Sequence, residues 1–165
     1  MAFRTRLPFL SGFLAAIGLP GCVGAAEAVP PFAVAPEVVT AAPVRNPPIA
    51  YPGGVQGHQA IAYAQWPGFR PLTLELYVPP AGPAGTRVPL VVYVHGGAWM
   101  GGDPRRAGAI EDFPALLASL ARRGYAVASG SYRLSGEAPF PAAVVDLRAA
   151  LHWLRATRDY PIDAS

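Results

Sequence analysis

A chain of 165 residues, 52% hydrophobic and 14% charged, is long enough for one modest domain and too short to promise two. All 13 basic residues are arginine against 10 acidic ones, a formal net charge of +3; with no lysine, a P-loop phosphate lysine and a Schiff-base lysine are excluded whatever the fold. The single cysteine, Cys22, excludes an internal disulfide and every multi-cysteine metal motif, and the charge offers no basic stripe for nucleic acid.

Residues 1–25 read as an export signal: Arg4 and Arg6 precede an apolar segment over 7–19, followed by the small residues Gly21, Cys22, Val23, Gly24, Ala25 and Ala26. The apolar segment falls short of the roughly 20 residues that a membrane-spanning helix needs. Leu19-Pro20-Gly21-Cys22 resembles the bacterial lipobox, which implies a lipid anchor at Cys22; ordinary cleavage after Ala25 or Ala26 is the alternative. Either way the expected location is outside the cytoplasm: periplasmic, secreted or lipid-anchored, with membrane contact only through the signal or the anchor. Without Arg4 and Arg6, 11 arginines face 10 acidic residues, a net of +1.

Residues 26–57 are rich in Ala, Val and Pro, and prolines at this spacing oppose both helix and ladder, so an extended linker or strap is expected. The folded part is expected over 58–165. Two strand-like runs, 59–65 and 72–78, are separated by Trp66-Pro67-Gly68-Phe69-Arg70-Pro71, which reads as a hairpin connection. In the second run Leu72, Leu74, Leu76 and Val78 alternate with Thr73, Glu75 and Tyr77, the period of a half-exposed strand. Pro79-Pro80 ends it, and a turn through Gly82-Pro83-Ala84-Gly85 leads to an apolar strand at 90–94.

Beyond a glycine-rich stretch, Ile110, Phe113, Leu117 and Leu120 fall at helical spacing, with Asp112 near the start, Pro114 in the first turn and Arg122-Arg123-Gly124 at the end. A short buried strand at 125–129 follows. A second helix opens at Pro139 to Pro141, with Val144, Leu147, Leu151 and Leu154 on its apolar face and Arg148, His152, Arg155 and Asp159 on its polar face. The order strand, strand, strand, helix, strand, helix is that of an α/β sheet.

The chemistry is concentrated where the apolar strand ends abruptly in His95-Gly96-Gly97-Ala98-Trp99-Met100-Gly101-Gly102. Glycines at a strand end free the following backbone N–H groups to face a ligand. Three readings are open: an oxyanion-binding turn, a βα turn without a ligand, and a phosphate cradle. The last needs Gly-x-Gly-x-x-Gly running straight into a helix, and the residues after Gly97 do not supply it.

This stretch resembles the HGGG-type oxyanion loop of α/β-hydrolase esterases. A second block, Tyr132-Arg133-Leu134, Pro139-Phe140-Pro141-Ala142-Ala143, Asp146, Ala149-Ala150 and Trp153-Leu154, resembles the segment after the fourth strand in the esterase/lipase branch, which includes hormone-sensitive-lipase-like and BD-FAE-like enzymes. The resemblance covers about residues 60–165 and is greatest to the BD-FAE-like side. It implies the N-terminal half of an α/β-hydrolase sheet, a β-hairpin followed by βαβα, and serine acyl-enzyme hydrolysis of small carboxylic esters with no metal and no organic cofactor. It also implies that backbone N–H groups of Gly97 and Ala98, with Gly96, bind the oxyanion, that Trp99 lines the acyl pocket, and that His95 orients the loop without acting as general base. An amidase, formamidase or prolyl-peptidase-like hydrolase of the same fold, or a non-catalytic exported α/β binding protein, are the alternatives.

One departure stands out: Gly-x-Ser-x-Gly, which carries the family's nucleophile after the fifth strand, is absent from all 165 residues. Pro161-Ile162-Asp163-Ala164-Ser165 corresponds to the turn before that strand, so the expectation is a chain ending roughly ten residues short of its serine and inactive by itself. Asp146 and His152 precede the nucleophile's place and are not the family's acid and base; Asp146 is expected to pair with an arginine such as Arg133 or to cap a loop, and His152 to face solvent. The family's strand order puts 90–94 between 125–129 and the fifth strand, which leaves an apolar strand as a bare edge and predicts marginal stability or aggregation.

Overall fold

In the computed structural model the described residues are 46–163. The export segment 1–25, with Arg4, Arg6 and Cys22, and most of the linker 26–57 lie outside them. Six strands and two helices follow in chain order: β1 (Ile49–Tyr51), β2 (Val55–Ala64), β3 (Leu72–Val78), β4 (Val88–Val94), α1 (Phe113–Ala121), β5 (Ala126–Gly130), α2 (Ala142–Ala156) and β6 (Ile162–Asp163). They form one sheet in the order β1-β2-β3-β5-β4-β6. The first strands pair antiparallel up to β3 and β5, with Glu75 opposite Ser129; β4 runs parallel to both β5 and β6. This is the α/β-hydrolase sheet begun by a hairpin that the sequence predicts; Ile162–Asp163, read from the sequence as part of the turn before the fifth strand, instead pairs with β4 at Val88 and Pro89 as β6.

The ladder starts earlier than the proline spacing predicts. Ile49–Tyr51 pairs with 55–57 across a one-turn 3-10 segment at Pro52–Gly54, and Val55 is fully buried. Pro52 only has to open that turn, where its missing N–H costs nothing, and Gly53 and Gly54 take the left-handed angles (φ 78° and 76°) that reverse the chain. Prolines that would break a strand here punctuate a hairpin.

The alternation in β3 suggests a half-exposed strand, yet Glu75 and Tyr77 are 5% and 2% exposed. Both faces of β3 are covered. Leu72, Leu74 and Leu76 pack with Ile61, Ala128 and Leu154 on the side of α2, whereas Tyr77 joins Val55, Phe113, Leu117 and Val127 on the side of α1. The apolar area removed from water on each face is the main stabilising term.

Helix α1 is the element whose ends follow most directly from the sequence. The Asp112 carboxylate accepts the Ala115 N–H at 2.9 Å, Pro114 occupies the first turn, and Gly124 (φ 96°) closes the end with its N–H on the Ala121 carbonyl. Ile110 is not part of it; it is 45% exposed in the preceding turn, paired to Ala107.

In α2 the buried residues are Ala142, Asp146, Ala149, Ala150 and Leu154, while Val144 and Leu151 are 36% and 40% exposed. The face that meets the sheet is thus turned from the predicted stripe of Val144, Leu147, Leu151 and Leu154. Small alanines let the helix approach the sheet closely, and the larger aliphatic residues are left along one flank.

Candidate active site

Strand β4 delivers His95 and the glycine turn to its C-terminal end, the end of a parallel sheet outside which ligands bind. The turn is tight. The Gly97 carbonyl accepts the N–H groups of Met100 at 3.0 Å and Gly101 at 3.2 Å. Gly97 and Gly102 have φ of 122° and 123°, and a Cβ at Gly97 would run into the Gly101 carbonyl oxygen, one at Gly102 into the His95 ring. Only glycine fits either position.

Between these two, Ala98 and Trp99 also have positive φ, 52° and 63°. Consecutive non-glycine residues in the left-handed region cost of order 1–3 kcal/mol each and persist where surroundings impose them. Gly97 and Ala98 are both exposed, and among the described residues no hydrogen bond uses the N–H of either one. Two adjacent free N–H groups at an exposed turn can stabilise a developing negative oxygen.

His95 is 4% exposed. Its Nδ1 lies 3.0 Å from the Gly96 carbonyl oxygen, and its ring stacks on Tyr132 at 4.2 Å and 13°. The Tyr132 hydroxyl in turn donates to the His95 carbonyl at 2.8 Å. The imidazole is therefore enclosed by its own loop and by the segment after β5.

Trp99 is half exposed and tilts against Tyr132 at 5.6 Å. Its carbonyl accepts the Ser135 N–H at 2.8 Å, which ties the turn to the segment 131–138. Together Trp99, Ser135, Ala138, Phe140, Ala143 and Val144 line an open cleft of about 150 Å³. Phe140 is 85% exposed at its rim and Met100 75% exposed nearby, an apolar margin beside the free N–H pair.

The second wall of that cleft is fixed by Asp146, which is fully buried on α2. Arg133 grips it with Nε at 2.9 Å and Nη2 at 2.8 Å, the Arg133 backbone N–H adds a third donor at 2.9 Å, and Trp66 Nε1 a fourth at 2.9 Å. The guanidinium lies 3.9 Å over the Trp66 ring. The pairing expected from the sequence is present, and it occupies both carboxylate oxygens. His152 is exposed, also as expected.

Of the described serines only Ser135 adjoins the turn, through its N–H on the Trp99 carbonyl, and no described hydrogen bond joins its hydroxyl to a histidine or carboxylate. Ser119 donates within α1 and Ser131 to the Thr73 carbonyl. Ser129, fully buried in β5, donates to the Pro104 carbonyl at 2.6 Å. Sequence reasoning gave Ser129 and Glu75 no role, although two polar residues in otherwise apolar strands are a signal. Glu75 Oε1 accepts the Ala60 N–H at 3.2 Å, and its Oε2 has Arg105 Nε at 4.0 Å and no hydrogen bond. Burial pushes the Glu75 carboxyl above the usual range, against the Ala60 N–H and Arg105, which lower it. Among the described residues no cluster of His, Cys, Asp and Glu could hold a metal.

Comparison with known proteins adds the family level. The BD-FAE family model matches residues 74–165. The chain is 34% identical over 85 residues to the esterase LipI of Mycobacterium tuberculosis, covering 51% of this chain and 25% of that protein. It is 34% identical over 87 residues to the carboxylesterase NlhH of the same species, covering 53% and 25%. A solved arylesterase structure is 29% identical with a TM-score of 0.50 over 70% of this chain and 35% of its own; a tannin acyl hydrolase, 21% identical with a TM-score of 0.52 over 73% and 31%, shares the fold. The chain spans about a quarter of the length of the curated relatives it matches.

Proposed function

The chain belongs to the BD-FAE family of the α/β-hydrolase superfamily, and from that premise we propose that it supplies the oxyanion-binding half of an exported serine esterase for small carboxylic esters. The observation that carries this reading is the exposed turn at the end of β4, where glycines admit no side chain and no hydrogen bond among the described residues uses the Gly97 or Ala98 N–H. In acyl transfer the carbonyl oxygen gains negative charge as the tetrahedral intermediate forms; donors already aimed at that oxygen stabilise it without reorganisation, and one such donor is worth about 10²–10³ in kcat. The ester would lie with its carbonyl oxygen on the turn and an apolar group in the cleft between Trp99 and Phe140.

The attacking serine and its acid and base lie outside these 165 residues in this proposal. Asp146 is fully engaged, His152 faces solvent, and no Gly-x-Ser-x-Gly exists in the sequence. The 165-residue chain is expected to hydrolyse p-nitrophenyl acetate no faster than buffer. A reading frame continuing past codon 165 with Gly-x-Ser-x-Gly within about 15 codons would yield a product that turns the ester over and loses activity on Ser→Ala. Turnover by the 165-residue chain contradicts the assignment of the nucleophile; a stop codon directly after Ser165 favours a non-catalytic binding protein.

Export belongs to the same proposal and rests on Arg4, Arg6 and the apolar segment that follows. Mass spectrometry of protein recovered from its native host is expected to find a mature N-terminus at an acylated Cys22 or just after Ala25 or Ala26. Recovery with residues 1–25 intact would refute export by cleavage.

A further inference from the structure

Two buried polar side chains lie directly opposite each other in the sheet: Glu75 on β3 and Ser129 on β5, 5% and 0% exposed. Burying such groups costs free energy unless they gain partners. Their partners belong largely to one loop. Ser129 Oγ donates to the Pro104 carbonyl at 2.6 Å, and Glu75 Oε2 faces Arg105 Nε at 4.0 Å. Within that loop the Asp103 carboxylate accepts the Arg105 N–H at 2.7 Å and the Asp103 carbonyl the Arg106 N–H at 3.3 Å, so residues 103–106 form a closed turn. On the other side, β2 shifts register between His58 and Ile61, and Ala60 takes φ 52° with its N–H on Glu75 Oε1.

Pro104 is two residues from Gly102, whose backbone lies so close to the His95 ring and the Gly96 carbonyl that no Cβ could fit. Gly101 is bonded to Gly97. Gly101, Gly102 and Asp103 thus connect Pro104 directly to the turn that carries the N–H pair. We propose that Ser129 and Glu75 are positioning residues of the glycine turn: they pin 103–106 to the sheet from beneath, and the pinned segment fixes Gly102, Gly97 and thereby the direction of the Gly97 and Ala98 N–H groups. The proposal rests on the oxyanion reading for its purpose, not for its test.

Buried anchors of this kind trade stability for geometry, and the two branches differ in sign. Ser129→Ala leaves the Pro104 carbonyl without its buried donor. Glu75→Gln keeps an acceptor for Ala60 but removes the charge that faces Arg105. Because the folded-state pKa of Glu75 is raised, its unfavourable contribution is absent below the unfolded pKa, grows as pH rises from the unfolded to the folded pKa, and is complete above it. Glu75→Gln should therefore raise the melting temperature at neutral pH while loosening the turn, a combination that a merely structural residue does not give.

The test is hydrogen exchange followed by mass spectrometry on the full 165-residue chain, carried out at low protein concentration and without any ester. Peptides spanning 99–110 report the Met100, Gly101, Arg106 and Ile110 amides, and peptides from β5 and α2 serve as the core reference. Ser129→Ala is expected to speed exchange over 99–110 at least about fivefold with the core reference unchanged. Glu75→Gln and the surface variant Arg105→Gln, which leaves the core intact, are expected to speed it less, in the same peptides. Unchanged exchange over 99–110 in all three variants overturns the proposal. So does a rise that tracks the core peptides, since the residues would then hold the sheet and not the turn. Failure of Ser129→Ala to fold leaves Arg105→Gln and Glu75→Gln to decide by the same criterion. Because the readout is exchange and not turnover, these outcomes are independent of whether esters prove to be the substrate.

Discussion

Asp146→Ala is expected to destabilise the folded chain by about 3–5 kcal/mol, a large share of the 5–15 kcal/mol typical of a domain. The carboxylate is fully buried, and its removal strands the Arg133 guanidinium, 13% exposed, together with the Arg133 N–H and the Trp66 indole N–H. A buried ion pair adds little over a well-packed apolar pair, but losing one partner leaves the other's desolvation uncompensated. Urea unfolding at low protein concentration should show the loss as a lowered midpoint. The double variant Asp146→Leu/Arg133→Met should lose less than the sum of its single variants, because no charge is then left alone. An Asp146→Ala chain within about 1 kcal/mol of the parent would mean that Arg133 finds water or another partner, and that the lock is dispensable.

The lock also bears on the candidate site. Arg133 follows Tyr132, on which the His95 ring stacks, and precedes the 134–138 turn that Leu134 N–H and Arg70 tie to the Glu137 carboxylate. Asp146 thus holds the wall of the cleft beside Trp99 without touching a reacting group. Its loss should open the cleft at the moment it weakens the fold.

Much of this was legible from residue types whose physics is local. Asp112, Pro114 and Gly124 mark α1 because capping needs no tertiary information, and the hairpin connection at 66–71 and the turn at 82–85 carry glycines with positive φ at Gly68 and Gly85. The Asp146 pairing could be anticipated because a carboxylate amid Val145 and Leu147 must find a partner. The strand at Ile49–Tyr51 was not legible, since Pro47, Pro48 and Pro52 oppose a ladder unless its partner strand and turn are known. The rotation of α2 was hidden for a related reason: hydrophobic spacing says which residues avoid water, not which surface covers them. The anchoring of 103–106 by Ser129 and Glu75 depends on a cross-strand register that no single-chain pattern states.

That rotation and the edge of β4 lead to the same expectation. β6 pairs with β4 only at Val88 and Pro89, so among the described residues the stretch from Leu90 to Val94 is bonded on one side alone, to β5. Val91 and Val94 are 37% and 42% exposed along it, and Val92, Val94, Leu147 and Leu151 face one another across a hollow of about 180 Å³. An apolar strand with a row of free N–H and C=O groups is a template for another strand, and the aliphatic flank of α2 adds apolar surface beside it. The 165-residue chain is expected to self-associate through this edge, seen as weight-average mass rising with concentration in sedimentation or light scattering. Val91→Lys places a charge on the edge, desolvated only if another strand docks there, and should restore the monomer without lowering the urea midpoint. Association unchanged by Val91→Lys would place the contact elsewhere, and a parent chain that stays monomeric and melts in one sharp transition would show that the edge is protected by something other than pairing.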